Sequence, residues 1–176
     1  DPIRMQPVIE LAGMHLKEDF IYHALVPAGA EHKMLMGAPY EPKIYAAVAG
    51  VTSVRDVYLT KGGAGYFHAV VQIQKMTEGD GKNAIMAAFA AHTSLKHVVV
   101  VDADINIYSP EDVEFAVATR VRADEDVMII SGVRGSSLDP CRIGDGLNVK
   151  AGVDATIPLG FEDEFIRADW QNNKEE

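Results

Sequence analysis

Asp102 and Asp104, two carboxylates at i and i+2 directly after the run Lys96-His97-Val98-Val99-Val100-Val101, are the residues of this chain best suited by type and spacing to do chemistry. Acids spaced in this way converge on one hard cation where the backbone leaves a strand. Such a carboxylate can also act as a nucleophile. The same pair has a structural reading. The two acids then close a strand end, accepting hydrogen bonds from backbone amides or from an arginine such as Arg120.

The elements around the pair set its position. Four consecutive valines suit a strand covered on both faces, the habit of central strands in α/β sheets, and the ends of such strands are where α/β proteins place ligands. Downstream, Ser109 is a candidate N-cap, Pro110 takes the first helical position, and Glu111 and Asp112 favour the positive end of the dipole. This predicts a helix to about Val121, with Val113, Ala116 and Val117 inward and Arg120 and Arg122 at its negative end.

Elsewhere, the pattern predicts a strand over residues 7–13 and a second strand or irregular piece over 20–26. Residues 27–42 are rich in Gly, Pro and Met without a period and read as loop. A helix is expected over 41–51, strands over 54–59 and 66–76 with a break at Lys61-Gly62-Gly63-Ala64-Gly65, and a helix over 84–95. A short strand follows at 127–130. From Gly132 to Gly160 glycines, prolines and isolated charges predict a long surface segment or arm. Phe161, Phe165, Ile166 and Trp170 have helix-like spacing and form a narrow apolar stripe. The alternation of strands and helices predicts an α/β layered domain, a central mixed β-sheet flanked by helices over residues 1–150. An extended C-terminal arm over 151–176 is expected to dock on a neighbouring subunit.

A net charge of −10, from 16 basic and 26 acidic residues, opposes binding to nucleic acid or to an anionic membrane surface. No apolar run reaches the roughly 20 residues needed to span a bilayer. The single Cys141 permits no internal disulfide and fits a reducing, cytoplasmic setting. The chain opens at Asp1 and passes directly into Pro7-Val8-Ile9-Glu10-Leu11, which reads as a segment of something longer.

Further motifs have bland and sharp readings. A phosphate cradle needs a helix N-terminus after its glycines, and a strand-like run follows Gly62 to Gly65, so these glycines are expected to allow close backbone approach to a ligand or another strand. The six histidines show no ligand-like spacing. His68 in Tyr66-Phe67-His68-Ala69 is the most interesting of them, with packing or hydrogen bonding as its plain role.

Two family resemblances bear on the acids. The run from Val98 to Asp104 resembles the first motif of haloacid-dehalogenase-type phosphatases, with Ser131, Lys150 and Asp154 in the place of later motifs; this implies an Mg-dependent phosphatase using Asp102 and Asp104. Asn106 and Ile107 replace the glycine and threonine expected there, and the later acidic pair is reduced to Asp154. A broader resemblance runs through Ser109-Pro110-Glu111-Asp112-Val113, Ala118-Thr119-Arg120-Val121, residues 126–130, Leu138-Asp139-Pro140 and Gly152-Val153-Asp154-Ala155-Thr156. Together with 98–104, and with Pro7 to His15, Tyr22-His23-Ala24 and 65–73 upstream, these look like the C-terminal domain of the UbiD family of decarboxylases.

That resemblance implies a carboxy-lyase acting on an unsaturated or aromatic carboxylic acid. It implies prenylated FMN, a divalent metal and a monovalent cation held by an upstream flavin-binding domain or subunit, together with the arginine and glutamates of the acid-base set. No catalytic or metal-binding residue is then expected here, and the isolated segment should not decarboxylate. The implied roles are substrate capping and homo-oligomer assembly. Ser136 and Leu138 match pocket-lining positions, and Gly62, Gly63 and Ala64 match a second segment bordering the substrate. A purely structural assembly subunit is the remaining alternative.

Overall fold

The valines of the central strand face two ways, and this fixes the layers. In a computed structural model describing residues 5–142, 144 and 146–167, β3 (His97–Asp102) sends Val98 and Val100 to one face and Val99 and Val101 to the other, all buried. Val98 and Val100 pack with Ile44 and Val48 of α2 (Glu41–Ala49) and with Ala84, Ile85, Ala88 and Phe89 of α3 (Asp80–Ala91). Val99 and Val101 pack with Ile105, Ile107 and, from α4 (Pro110–Arg120), Val113 and Ala116. Each such valine contributes about 1.5–3 kcal/mol by leaving water.

The sheet has five strands in the order β1-β2-β3-β5-β4, where β1 is Ser53–Leu59, β2 His68–Gln74, β4 Val127–Arg134 and β5 Leu147–Ala155. β2, β3 and β5 are mutually parallel, while β1 and β4 lie antiparallel on the edges. The mixed sheet flanked by helices is therefore as expected. α4 begins as its sequence predicts, with the Asp112 amide donating to Ser109 Oγ at 3.2 Å.

Several expectations change. Residues 7–13 form no strand and 20–26 take the irregular of their two expected forms: Val8 and Ile21 are almost fully exposed and neither segment pairs with the sheet. Within the expected loop 27–42 lies α1 (Ala30–Gly37), set by a tertiary contact rather than a local period. A Cβ on Gly37 would stand 2.4 Å from the Gly65 carbonyl oxygen, and one on Gly65 (φ +65°) 2.8 Å from that of Lys33. α3 starts at Asp80, whose carboxylate accepts the amides of Met76 and Thr77 at 2.7 and 3.0 Å. It ends at Ala91.

The largest change is β5, an interior strand inside the expected surface segment. Its inward side chains Asn148, Lys150 and Asp154 are polar yet buried, so the strand carries no alternating apolar signature. It runs through position 150, and the chain leaves the sheet only after Ala155. Beyond it a single 3-10 turn (Glu162–Phe165) stands where a helix was expected, and Trp170 lies outside the described residues. Among the described residues no helix is long and apolar enough to cross a membrane.

Candidate functional site

At the C-terminal end of β3 the two acids meet a buried arginine. Arg120 Nη1 lies 3.2 Å from Asp102 Oδ2 and 3.0 Å from Asp104 Oδ1, and Nη2 lies 2.5 Å from Asp104 Oδ2. The Ile157 amide also donates to Asp102 Oδ2, at 2.7 Å. The hydrogen bond from Arg120 holds the Asp104 carboxyl below its ordinary range, whereas burial pushes Asp102 up. Bidentate pairing of this kind fixes a side chain and uses the lone pairs that a cation would need. The pair thus takes the bracing role, tying α4 and the start of the arm to the strand end.

Of the other residues of the phosphatase reading, Ser131 is exposed on β4, while Lys150 and Asp154 are engaged in structure. Lys150 Nζ donates to the carbonyls of Thr93, at 2.7 Å, and Leu95, and burial lowers its pKa to about 8. Asp154 Oδ1 accepts from Thr156 Oγ1 at 2.7 Å. Among the described residues no three His, Cys, Asp or Glu side chains gather to hold a metal ion.

The opposite end of the sheet offers a concave site. Because β2, β3 and β5 are parallel and in register, His68, His97 and Ala151 form one row across the sheet, on the same face as Val99 and Val153. α4 covers that face further along, but over this row lies a groove of about 580 Å³. Its walls are the turn Gly62-Gly63-Ala64 and the loop Asp139-Pro140-Cys141. Lys96 Nζ lies 3.1 and 3.0 Å from the two oxygens of the buried Asp139 carboxylate, which also accepts the Cys141 amide at 2.9 Å. The hydrogen bond to Asp139 raises the Lys96 pKa. Burial, with Lys96 nearby, lowers that of His97.

The glycine turn is built for close approach. The Gly63 amide donates to Thr60 Oγ1 at 3.1 Å, and Thr60 Oγ1 lies 2.9 Å from His68 Nδ1. A Cβ on Gly63 would stand 2.4 Å from that of His68, and Ala64 adopts φ +59°. The amides of Ala64, Gly65, Tyr66 and Phe67 all donate to carbonyls within the turn. Few amides of the turn are left for an anion and a strand follows, so the turn lacks the form of a phosphate cradle.

Of the pocket residues expected from sequence, Gly62, Gly63 and Ala64 line the groove. Ser136 and Leu138 do not. Ser136 is buried with its Oγ accepting the Leu138 amide at 3.1 Å, while Leu138 is half-exposed and the three residues after it form the wall. Sequence reasoning missed His97, Lys96, Asp139 and Cys141 as groove residues. The signal was that His68 and His97 each open a strand, which becomes informative once β2 and β3 are paired in parallel.

Comparison with known proteins places these features. The family model described as 3-octaprenyl-4-hydroxybenzoate carboxy-lyase C-terminal domain matches residues 33–155. Anhydromevalonate phosphate decarboxylase of Methanosarcina mazei is 60% identical over 168 residues, 96% of this chain and 40% of that protein. The UbiD-class enzyme HmfF of Pelotomaculum thermopropionicum, solved in complex with FMN, superposes with a TM-score of 0.81 at 46% identity, covering 85% of this chain and 34% of that one. The 3,4-dihydroxybenzoic acid decarboxylase of Klebsiella pneumoniae gives 0.75 at 32% identity, covering 81% and 32%. The chain thus spans about 40% of the length of the curated relative and a third of the solved enzymes. By its ordered motifs, its mixed sheet and these matches, the chain belongs to the UbiD family and spans its C-terminal domain.

Proposed function

We propose that this chain is the substrate-capping domain of a UbiD-type decarboxylase whose substrate is a phosphorylated unsaturated carboxylic acid. The observation that carries the reading is 60% identity, along almost the whole chain, to a decarboxylase named for a phosphorylated substrate. The dihydroxybenzoic acid enzyme stands at 32%. In this reading prenylated FMN, with a divalent metal and a monovalent cation, is bound by the flavin-binding portion and supplies the electron sink for the carbon that loses carbon dioxide.

The residues of this chain supply enclosure and orientation. The groove over His68 and His97 is closed on one side by Gly62-Gly63-Ala64 and on the other by Asp139-Pro140-Cys141, so a substrate laid against it is shielded from water on three sides. Desolvation of that kind strengthens each polar contact made to the bound acid. Assembly is the second role. Phe161 and Ile166 of the arm are exposed and available to a neighbouring copy in a homo-oligomer, whereas Arg167 ties the arm to its own α4, 2.7 Å from Asp112 and over the Phe115 ring.

Replacing the matching segment of the Methanosarcina mazei enzyme by this chain tests the reading. The chimera is expected to release carbon dioxide from anhydromevalonate phosphate. A chimera that binds flavin and assembles yet decarboxylates only aromatic acids, or none, overturns it.

A further inference from the structure

His68 is engaged at one ring nitrogen and open at the other. Its Nδ1 lies 2.9 Å from Thr60 Oγ1, and that hydroxyl already accepts the Gly63 amide at 3.1 Å. A threonine hydroxyl has one proton to give. With the Gly63 N–H occupying one of its two lone pairs, the hydroxyl is free to give that proton to Nδ1, and in that tautomer the imidazole proton sits on Nε2. Among the described residues Nε2 has no hydrogen-bond partner.

The ring faces both grooves that meet at the glycine turn, the one over His97 and an adjoining one of about 590 Å³ toward Ile107 and Val113. Burial, together with His97, lowers the His68 pKa, so the ring is a neutral donor at neutral pH. The Gly63 backbone approaches His68 so closely that a Cβ at Gly63 would stand 2.4 Å from the His68 Cβ.

We propose that His68 is a specificity-determining residue that donates its Nε2–H to an anionic oxygen of the substrate, carboxylate or phosphate. The inference rests on the reading that this groove borders the substrate pocket. The sequence singled out His68 without giving it a task, and the Thr60 relay supplies one.

Geometry gives the test its specificity. A glutamine amide reaches the place of an imidazole Nε2, and an asparagine amide that of Nδ1. In the decarboxylating chimera, H68Q is expected to hold KM within about threefold of the parent. H68N and H68A are expected to raise KM about tenfold or more, the effect of one hydrogen bond to a charged group, with kcat changed less than about threefold. Equal KM for all four proteins, or rescue by Asn and not by Gln, overturns the proposal.

A second measurement needs no variant to fold and no turnover. Imidazole-nitrogen NMR of the unsubstituted chimera should show His68 as the Nε2–H tautomer. Titration with inorganic phosphate in one arm and acetate in the other should then shift that resonance, and the arm that acts at the lower concentration identifies the anionic group. The Nδ1–H tautomer, or a resonance moved by neither anion, refutes the role of His68 even if the chimera decarboxylates. A chimera without decarboxylation whose His68 still responds counts against the substrate reading and not against the donor.

Discussion

At the scale of single residues, Arg120 is where the chemistry and structure readings of Asp102 and Asp104 separate. Its side chain is fully buried, and it is the cation shared by Asp102, whose side chain is 19% exposed, and Asp104, which is 50% exposed. Removing one partner of a buried pair costs about 3–5 kcal/mol, but an exposed carboxylate recovers much of its share from water. R120M is therefore expected to lower unfolding free energy by about 3 kcal/mol in urea denaturation at pH 7, and D104N by about 1 kcal/mol or less. The pH dependence follows from the shifts. Asp104, lowered by Arg120 from 3.8, contributes stability above its unfolded pKa that is lost as pH falls through the folded one. Asp102, raised by burial, acts in the opposite sense: its contribution is full below 3.8 and is lost as pH rises through its folded pKa. The gap between parent and R120M should thus narrow as pH falls below about 4, and a gap constant down to pH 3 would show that Arg120 acts by packing alone. The partnership of these three residues was legible in the sequence, because an acid pair at a strand end and a basic residue at the end of the next helix are local signals. The Lys96–Asp139 pair was not legible, because its members are 43 residues apart and meet only when the loop before β5 folds over the sheet.

At the scale of elements, legibility followed apolar periodicity. β3 and α4 announced themselves through four valines and a Ser-Pro-Glu-Asp start, and both were found where expected. β5 was hidden because it brings a lysine, an asparagine and an aspartate inward, which leaves no apolar alternation to read. Lys150 bonds to carbonyls just past the end of α3, and Asp154 bonds to Thr156. Burial of the Lys150 ammonium, which lowers its pKa to about 8 from 10.5, gives a signature. The unfolded chain holds that proton between about pH 8 and 10.5 while the fold releases it, so stability rises with pH over this window. K150M should lack that rise relative to the parent in parallel urea titrations; identical slopes would place the ammonium in water. The α3–β5 contact has its own test. A Cβ on Gly152 would lie 2.3 Å from Ile85 Cγ2, a fully buried atom group that must then shift. G152A is expected to destabilise by about 1–3 kcal/mol. Combining it with I85L, which removes the opposing methyl, should cost less than the sum of the two single changes. Strict additivity would mean that α3 rides clear of the strand.

At the scale of the whole molecule, the chain presents more apolar surface than a domain of its size keeps in water. Along residues 5–26, Met5, Val8, Ile9, Leu11, Ile21 and Tyr22 are all 80% exposed or more. On the sheet face beyond α4, Ile129 is 60% exposed and Leu147 52%. Contiguous patches of this kind mark surfaces that another part of the protein covers, and a net charge of −10 opposes their self-association without removing the driving force. The strand read in residues 7–13 is consistent with this: Pro7-Val8-Ile9-Glu10-Leu11 is a mostly apolar run, and among the described residues it pairs with no strand of the sheet. Since the chain spans about 40% of its curated relative, the remainder of such an enzyme is the natural cover. Hydrogen exchange distinguishes the possibilities. In the chain alone, amides of residues 5–26 are expected to exchange at close to intrinsic rates, while those of β3 are protected to the limit of global stability. In the chimera with the flavin-binding portion, the 5–26 amides should slow by about a hundredfold or more, and β3 should change little. Strong protection of residues 5–26 in the chain alone, at concentrations where light scattering shows a monomer, would mean that the segment folds back on its own domain and that its apolar face needs no partner.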